Sequence, residues 1–302
     1  MQLMPAEHFV AIACGGTGGH LFPGMALGEK FLERGCDVML LVSKKEVDQL
    51  TSRGAIGMQV TSLPAVPLLK GNLPKFLSTF WQSFQQVRKI FRERRPTAVL
   101  AMGSFTSAAP IFAGRLARAK TAIHEANSIA GRANRLLAPW VDHCFIGFSS
   151  AANQLGNRCV KFTGTPVRSQ FQPADAGACR MALGFNPDWP LILVTGGSQG
   201  ASALNEAVLK ALPIVSAAVE NVQVLHLTGS ANHAAMADRY QGLSVRAKVL
   251  PFLTEMEMAL GAASVAVSRA GGSSLAEIAA MQVPSILVPY PTAADNHQYF
   301  NA

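Results

Sequence analysis

The sequence predicts an α/β protein made of two doubly wound, parallel-sheet domains in series. Three observations carry that expectation. Short apolar runs alternate with helix-length stretches along most of the chain, the pattern of βαβ units whose strands are covered on both faces. The alternation pauses at Gly164–Pro173 (GTPVRSQFQP) and then restarts. Each half opens with a buried-strand pattern, a glycine-rich turn and a helix. A length of 302 residues suits two domains at roughly 100–200 residues each. The expected boundaries are 1–163, a linker over 164–173, and 174–302.

In chain order, Phe9–Cys14 reads as the first strand, followed by a helix from about His20 to Arg34 that Gly35 closes. Asp37–Ser43, Thr97–Met102, Thr121–His124 and His143–Phe148 are the expected later strands of the first half. After the pause come Leu191–Thr195, a helix over Ala203–Leu212, and strands at Val222–Leu227, Val245–Leu250, Ser264–Ser268 and Ser285–Pro289. Ligands of open α/β sheets bind at the carboxyl ends of the strands. Two such domains facing each other predict a site in the cleft between them.

Composition narrows the function classes. With 49% hydrophobic and 15% charged residues, the chain has material for real cores and is not a disordered polymer. The five cysteines, Cys14, Cys36, Cys144, Cys159 and Cys179, are scattered and form no C-x-x-C pair, which argues against a disulfide framework or a zinc site. The N-terminus lacks a basic region ahead of its apolar run, so no signal peptide is expected. No run of about 18 uninterrupted apolar residues predicts a membrane span. Residues 1–163 carry 19 Lys/Arg against 9 Asp/Glu, whereas 164–302 carry 7 against 9. A basic half beside a near-neutral half suggests an anionic partner, nucleic acid or a membrane surface, or else a surplus that serves solubility alone.

The glycine loops carry the chemistry. Gly15-Gly16-Thr17-Gly18-Gly19-His20 lets backbone N–H groups approach a phosphate at a helix N-terminus. Leu21 stands where a dinucleotide fingerprint needs its third glycine, and the second strand ends Ser43-Lys44-Lys45 rather than on an acid, so NAD is not expected. The Gly-Lys-Ser/Thr ending of a Walker loop is absent as well. Gly196-Gly197-Ser198-Gln199-Gly200-Ala201 occupies the equivalent place in the second half. A third loop, Ser268–Ser274, opens a helix containing Glu277. That carboxylate could accept from both hydroxyls of a ribose, or could simply be a first-turn acid favoured by the helix dipole. Asp-x-Asp occurs nowhere, so a diphosphate site here is expected to work without a metal and without any other cofactor. Gly103–Ser107 and the His124-Glu125-Ala126-Asn127 run follow strands of the first half. Buried strand ends with such side chains are hard to explain by packing.

Together the blocks GGTGGHLFPGMAL, MGSFTSAAP, HEANSIAGRANRLLA, GTPVR, GGSQGASALN, SRAGGSSLAEIA and VPYPTAADNHQYFNA resemble the MurG family. That family moves GlcNAc from UDP-GlcNAc onto undecaprenyl-pyrophosphoryl-MurNAc-pentapeptide, and its architecture is GT-B, two Rossmann-like domains. The resemblance covers almost the whole chain. It implies that UDP-GlcNAc lies mainly on the second domain. Ser198 and the turn of Gly272, Ser273 and Ser274, continuing through Leu275 and Ala276, would meet the phosphates. Glu277 would hold the ribose, and the backbone of Leu253 would read uracil. Asn127, Arg168, His297 and Gln298 would complete the donor site. Thr17, Gly18 and Gly19 would close over the donor and help bind the acceptor pyrophosphate. His20 and Glu125 are the implied candidates for general base or acceptor orientation. Ser104 and Ser128 stand where the family commonly has Gly, and Ala126 where it often has Gln; altered packing is expected rather than lost chemistry. Family members continue for several helices beyond the position of Ala302, so the second domain is expected to be incomplete here.

Transfer from an α-linked donor to a β(1→4) product implies a single in-line displacement with a general base. His20, at a helix start that disfavours its protonated form, is the expected base; a structural cap or acceptor-phosphate contact is the alternative. The stretch from Leu68 to Trp81 joins large apolar residues to lysines and runs into Arg88, Lys89, Arg92, Arg94 and Arg95. Helical spacing puts Leu73, Phe76, Leu77, Phe80 and Trp81 on one face, with Lys70 and Lys75 beside it. Such a face suits docking on an anionic membrane, at the cytoplasmic face of the bacterial inner membrane if the resemblance holds, or packing against the chain's own sheet. Nucleic acid is then not the expected partner. Another GT-B lipid glycosyltransferase, a UDP-GlcNAc epimerase and a non-catalytic nucleotide-sugar-binding subunit are the competing readings.

Overall fold

The computed structural model describes residues 8–16, 18–44, 55–68, 71–197 and 200–302. Two compact units divide the chain, Met1–Ser169 and Gln170–Ala302. In the first, the strands are β1 (Phe9–Ala13), β2 (Asp37–Ser43), β3 (Gln59–Leu63), β4 (Ala98–Ala101), β5 (Lys120–Glu125), β6 (His143–Ile146) and β7 (Val160–Phe162). Their order across the sheet is β3-β2-β1-β4-β5-β6-β7, and each pairing is parallel. β1 is buried along its whole length because helices cover both faces of a parallel sheet. One core layer joins Phe9, Leu41, Val87, Val99 and Ile123, and the other joins Ile12, Leu21, Leu40 and Met102.

In the second unit the strands are β8 (Leu191–Thr195), β9 (Gln223–Leu227), β10 (Arg246–Leu250), β11 (Val265–Ser268) and β12 (Ser285–Leu287). They lie in the order β10-β9-β8-β11-β12, again in parallel. Both sheets reverse their winding once, between β1 and β4 and between β8 and β11. Those are the places where a crevice opens at the strand ends of a doubly wound sheet.

Several expected elements differ in extent. β4 and β12 are shorter than read, and β3 and β7 were not anticipated. Both of the latter are sheet edges with half-exposed, partly polar sequences, QVTSL and VKF, so hydrophobic patterning does not announce them. The helix expected over Ala203–Leu212 runs from Ser202 to Ala218, straight through Pro213. A proline removes one donor from a helix and crowds the preceding turn, and here the helix continues past that loss.

The helix Leu73–Glu93 corrects the single apolar face. Its inward row is Ser83, Val87 and Phe91. Phe76 and Phe80 are half-buried, whereas Leu73, Leu77 and Trp81 are 53%, 54% and 57% exposed. Leu77 and Trp81 are rotated about a quarter turn or more from the inward row. The stripe is therefore two stripes, one facing the sheet and one facing out.

Candidate functional site

In the first unit the loop after β1 is built against the loop after β4. Gly16 has φ +119°, and a Cβ there would come within 2.1 Å of the Ser104 Oγ. Only glycine fits at that contact. Ser104 itself has φ +71°, a conformation that costs a non-glycine residue on the order of 1–2 kcal/mol. Thr106 Oγ1 donates to the Gly15 carbonyl at 3.0 Å. His20, on the helix Gly18–Glu33, has its Nδ1 2.8 Å from the Met102 carbonyl. A carbonyl only accepts, so Nδ1 carries the proton and Nε2 carries the lone pair of the neutral ring. Gly103 packs against the same ring.

The loop after β5 is organised by one carboxylate. Glu125 is 2% exposed. Its Oε1 accepts from the Asn127 backbone N–H at 2.9 Å and from Asn127 Nδ2 at 3.0 Å. Its Oε2 accepts from the Gly131 N–H at 2.8 Å and from Asn134 Nδ2 at 2.9 Å. Four donors saturate a carboxylate. Glu125 thus shapes the 126–131 loop and leaves no lone pair for a substrate proton. Beside it, His124 is buried with Nε2 3.0 Å from the Gly164 carbonyl, and burial pushes its pKa down.

Arg168 lies over the Phe22 ring, 4.5 Å from the centroid, and the next residue, Ser169, donates to Glu29. The end of the first unit is thus tied to the helix that carries His20. Gly18 is buried and Gly19 exposed at the start of that helix. Thr17, Lys70 and Ser198 lie outside the described residues.

In the second unit, the loops after β8, β10, β11 and β12 all leave the same end of a parallel sheet. Gly200 has φ +72°, and a Cβ there would come within 2.5 Å of the Thr228 carbonyl oxygen. That carbonyl accepts from Asn205 Nδ2 at 3.0 Å. Beneath it His226 bridges the Tyr240 hydroxyl at 2.8 Å and Asn205 Oδ1 at 3.1 Å. Burial lowers the His226 pKa to about 4 and raises that of Tyr240. A fully paired polar network thereby supports the second glycine loop from below.

Gly271 caps the helix Gly272–Ala280 with extended backbone, so the N–H groups of Gly272, Ser273 and Ser274 end the helix unbonded within it. Leu275 and Ala276 complete the first turn and are half-buried. Glu277 comes after that turn and is also half-buried, so attraction to the helix terminus does not account for it. Leu253 is half-buried in the loop following β10. His297 and Gln298 begin the helix His297–Asn301, and Gln298 Oε1 accepts the Tyr290 N–H at 2.9 Å.

Sequence reasoning missed the Met102 carbonyl, Asn134, Arg269 and Asn301. Arg269 alone carried a signal, a charged residue between a buried strand and a glycine turn. Among the described residues no group of three His, Cys, Asp or Glu gathers as a metal site.

Next to the outward stripe of Leu73–Glu93 lies a groove of about 610 Å³, lined by Phe84, Phe112 and Leu116 together with Arg115, Arg118 and Lys120. Leu116 and Trp140 are exposed nearby, at 59% and 53%. Among the described residues, no helix is long and apolar enough to cross a membrane.

Comparison with known proteins adds four findings. The glycosyltransferase family 28 N-terminal domain matches residues 10–146 and its C-terminal domain residues 191–302. A UDP-N-acetylglucosamine–N-acetylmuramyl-(pentapeptide) pyrophosphoryl-undecaprenol N-acetylglucosamine transferase of Verminephrobacter eiseniae is 35% identical, over 99% of this chain and 83% of its own length. Among solved structures, Acinetobacter baumannii MurG superposes with a TM-score of 0.69 at 24% identity, covering 97% of this chain and 82% of that one. A UDP-N-acetylglucosamine 2-epimerase reaches 0.65 at 15% identity, covering 94% and 80%. The fold alone therefore suits two chemistries, and the sequence separates them.

Proposed function

The chain belongs to the MurG family of glycosyltransferases, and from that premise we propose that it transfers GlcNAc from UDP-GlcNAc to the MurNAc 4-hydroxyl of undecaprenyl-pyrophosphoryl-MurNAc-pentapeptide, in peptidoglycan synthesis. The observation that carries this reading is the 35% identity along 99% of the chain. The site geometry supports it.

On the second unit, the unbonded N–H groups at Gly272–Ser274 receive the diphosphate. Glu277 takes the ribose hydroxyls, Leu253 the uracil, and His297 and Gln298 the sugar. Backbone donors aimed at the leaving UDP are preorganised for the charge that develops as the glycosidic bond breaks. Ser198 joins this donor site, and the family resemblance also assigns Thr17, Asn127 and Arg168 to the donor.

On the first unit, Gly18 and Gly19 meet the acceptor pyrophosphate, and His20 Nε2 takes the proton of the attacking hydroxyl. The bond from Nδ1 to Met102 supports that role by holding the tautomer whose lone pair is on Nε2. Glu125 fixes Asn127 and the following turn; it is a positioning residue.

The acceptor's lipid keeps it at a bilayer. We infer that the protein docks peripherally on the anionic cytoplasmic face of the inner membrane through Leu73, Leu77 and Trp81, with Lys70 and Lys75, and with the groove that Arg115, Arg118, Lys120 and Asp142 line. Phe76 and Phe80, half-turned inward, contribute less.

The test is turnover by the purified chain with UDP-GlcNAc and a lipid I analogue. GlcNAc transfer that persists in EDTA is the expected result. Hydrolysis or epimerisation of the donor without transfer would overturn the assignment.

A further inference from the structure

Arg269 has no part in the donor contacts proposed above, yet it is only 7% exposed. It sits between β11 and the Gly271 turn. Its Nη1 donates to the carbonyls of Val288 and Pro289, both at 3.0 Å, and the guanidinium lies 5.4 Å from the Tyr290 ring centroid. Burying a guanidinium is costly unless charge-assisted bonds compensate. Two such bonds to successive carbonyls fix the direction of a backbone, which a single point contact does not.

The same two segments are stitched elsewhere. The Val288 N–H donates to the Ser268 carbonyl at 2.8 Å, and Asn301 Nδ2 to the Ala270 carbonyl at 2.9 Å. The Tyr290 N–H occupies Gln298 Oε1, which leaves the Gln298 amide to act outward as a donor. The segment 288–298 thus hangs from the turn that opens the helix Gly272–Ala280.

We propose that Arg269 is a positioning residue that sets discrimination between the sugar nucleotide and the bare nucleotide, by fixing the segment 288–298 relative to the diphosphate turn. The inference rests on the donor-site reading above. It predicts a one-sided effect. UDP is held by the turn and Glu277, so it is insensitive to Arg269, whereas the GlcNAc moiety meets the segment that Arg269 orients.

The experiment is isothermal titration of the whole chain with UDP and with UDP-GlcNAc. In Arg269→Met, UDP affinity stays within about threefold of wild type while UDP-GlcNAc affinity falls about tenfold or more, the scale of one lost charge-assisted hydrogen bond. Arg269→Lys falls between, because the ammonium keeps a charged donor but loses the planar guanidinium that lies against the Tyr290 ring. Asn301→Ala cuts the stitch from the other side, reproduces the one-sided loss, and decides the matter if Arg269→Met does not fold. Equal loss for both nucleotides, or loss for neither, overturns the proposal while leaving the donor site standing. A wild-type chain that binds neither nucleotide overturns the donor-site reading and this inference with it.

Discussion

The two units share one plan and furnish it with different groups. Each is a parallel sheet whose order reverses once, and each has a glycine loop at the reversal. In the first, that loop is surrounded by ionisable side chains: His20 on a fixed tautomer, His124 buried, and Glu125 saturated by four donors. In the second, the equivalent region offers chiefly backbone N–H groups at a helix start, and the ionisable His226 is buried beneath the glycine loop as support. A proton-transfer site needs groups that titrate. A diphosphate site needs fixed dipoles that do not.

The largest effect should come from His20→Ala. A lost general base lowers kcat by about 10²–10⁴-fold, and donor affinity should not change, because the base acts on the other unit and in the transition state. Single-turnover kinetics with separate UDP-GlcNAc titration checks this; a normal kcat with a raised acceptor KM would move His20 from base to acceptor ligand.

Next comes pH. His226 has a folded pKa of about 4 against an unfolded value of about 6.5. The unfolded chain binds the extra proton first, so stability is full above pH ~6.5 and declines as pH falls towards 4. The total from this residue is about 3 kcal/mol. Denaturant midpoints measured across that range should show the slope, and His226→Gln should flatten it. His124 on the first unit, whose pKa burial lowers, adds a slope of the same sign.

Glu277→Ala should raise the KM for UDP-GlcNAc by about 10- to 100-fold, the consequence of losing hydrogen bonds to a charged group. Acceptor KM should stay put. A donor KM within twofold of wild type would make Glu277 a helix residue without a ligand.

The smallest effect concerns the membrane face. Leu77→Ser with Trp81→Ser should weaken binding to anionic vesicles roughly tenfold, with turnover of a water-soluble acceptor intact. Both side chains are more than half exposed, so the variant should fold. Phe80 is the wrong residue to change, being half-buried on the inward side of the helix. Vesicle binding equal to wild type would transfer the docking role to another surface.

Much of this was legible in the sequence because buried parallel strands are apolar runs and glycine turns punctuate them. β1, β2 and β8 were readable for that reason, as was the placing of Gly15–His20, Gly196–Ala201 and Ser268–Ser274 at strand ends. β3 and β7 were not, since sheet edges lack the apolar signal. The side-chain roles were legible only in part. His20 and Met102 are 82 residues apart, and Arg269 and Val288 are joined across a helix and a strand. Which donors a carboxylate such as Glu125 holds depends on such partners, four of them here from the chain itself. The face of Leu73–Glu93 was read from spacing alone, and spacing does not say where the sheet beneath it ends.

The strand orders have a consequence for biogenesis. Among the described residues neither sheet borrows a strand from the other half: β1 to β7 end at Phe162, and β8 begins at Leu191. The first sheet is complete in sequence before the ribosome has made any of the second. At roughly 5–20 residues per second, the stretch that holds the second sheet, Leu191–Leu287, takes on the order of ten seconds to be made. Within that interval the nascent first half can close its own sheet, so a lesion in the second half should leave a folded, soluble amino-terminal product behind.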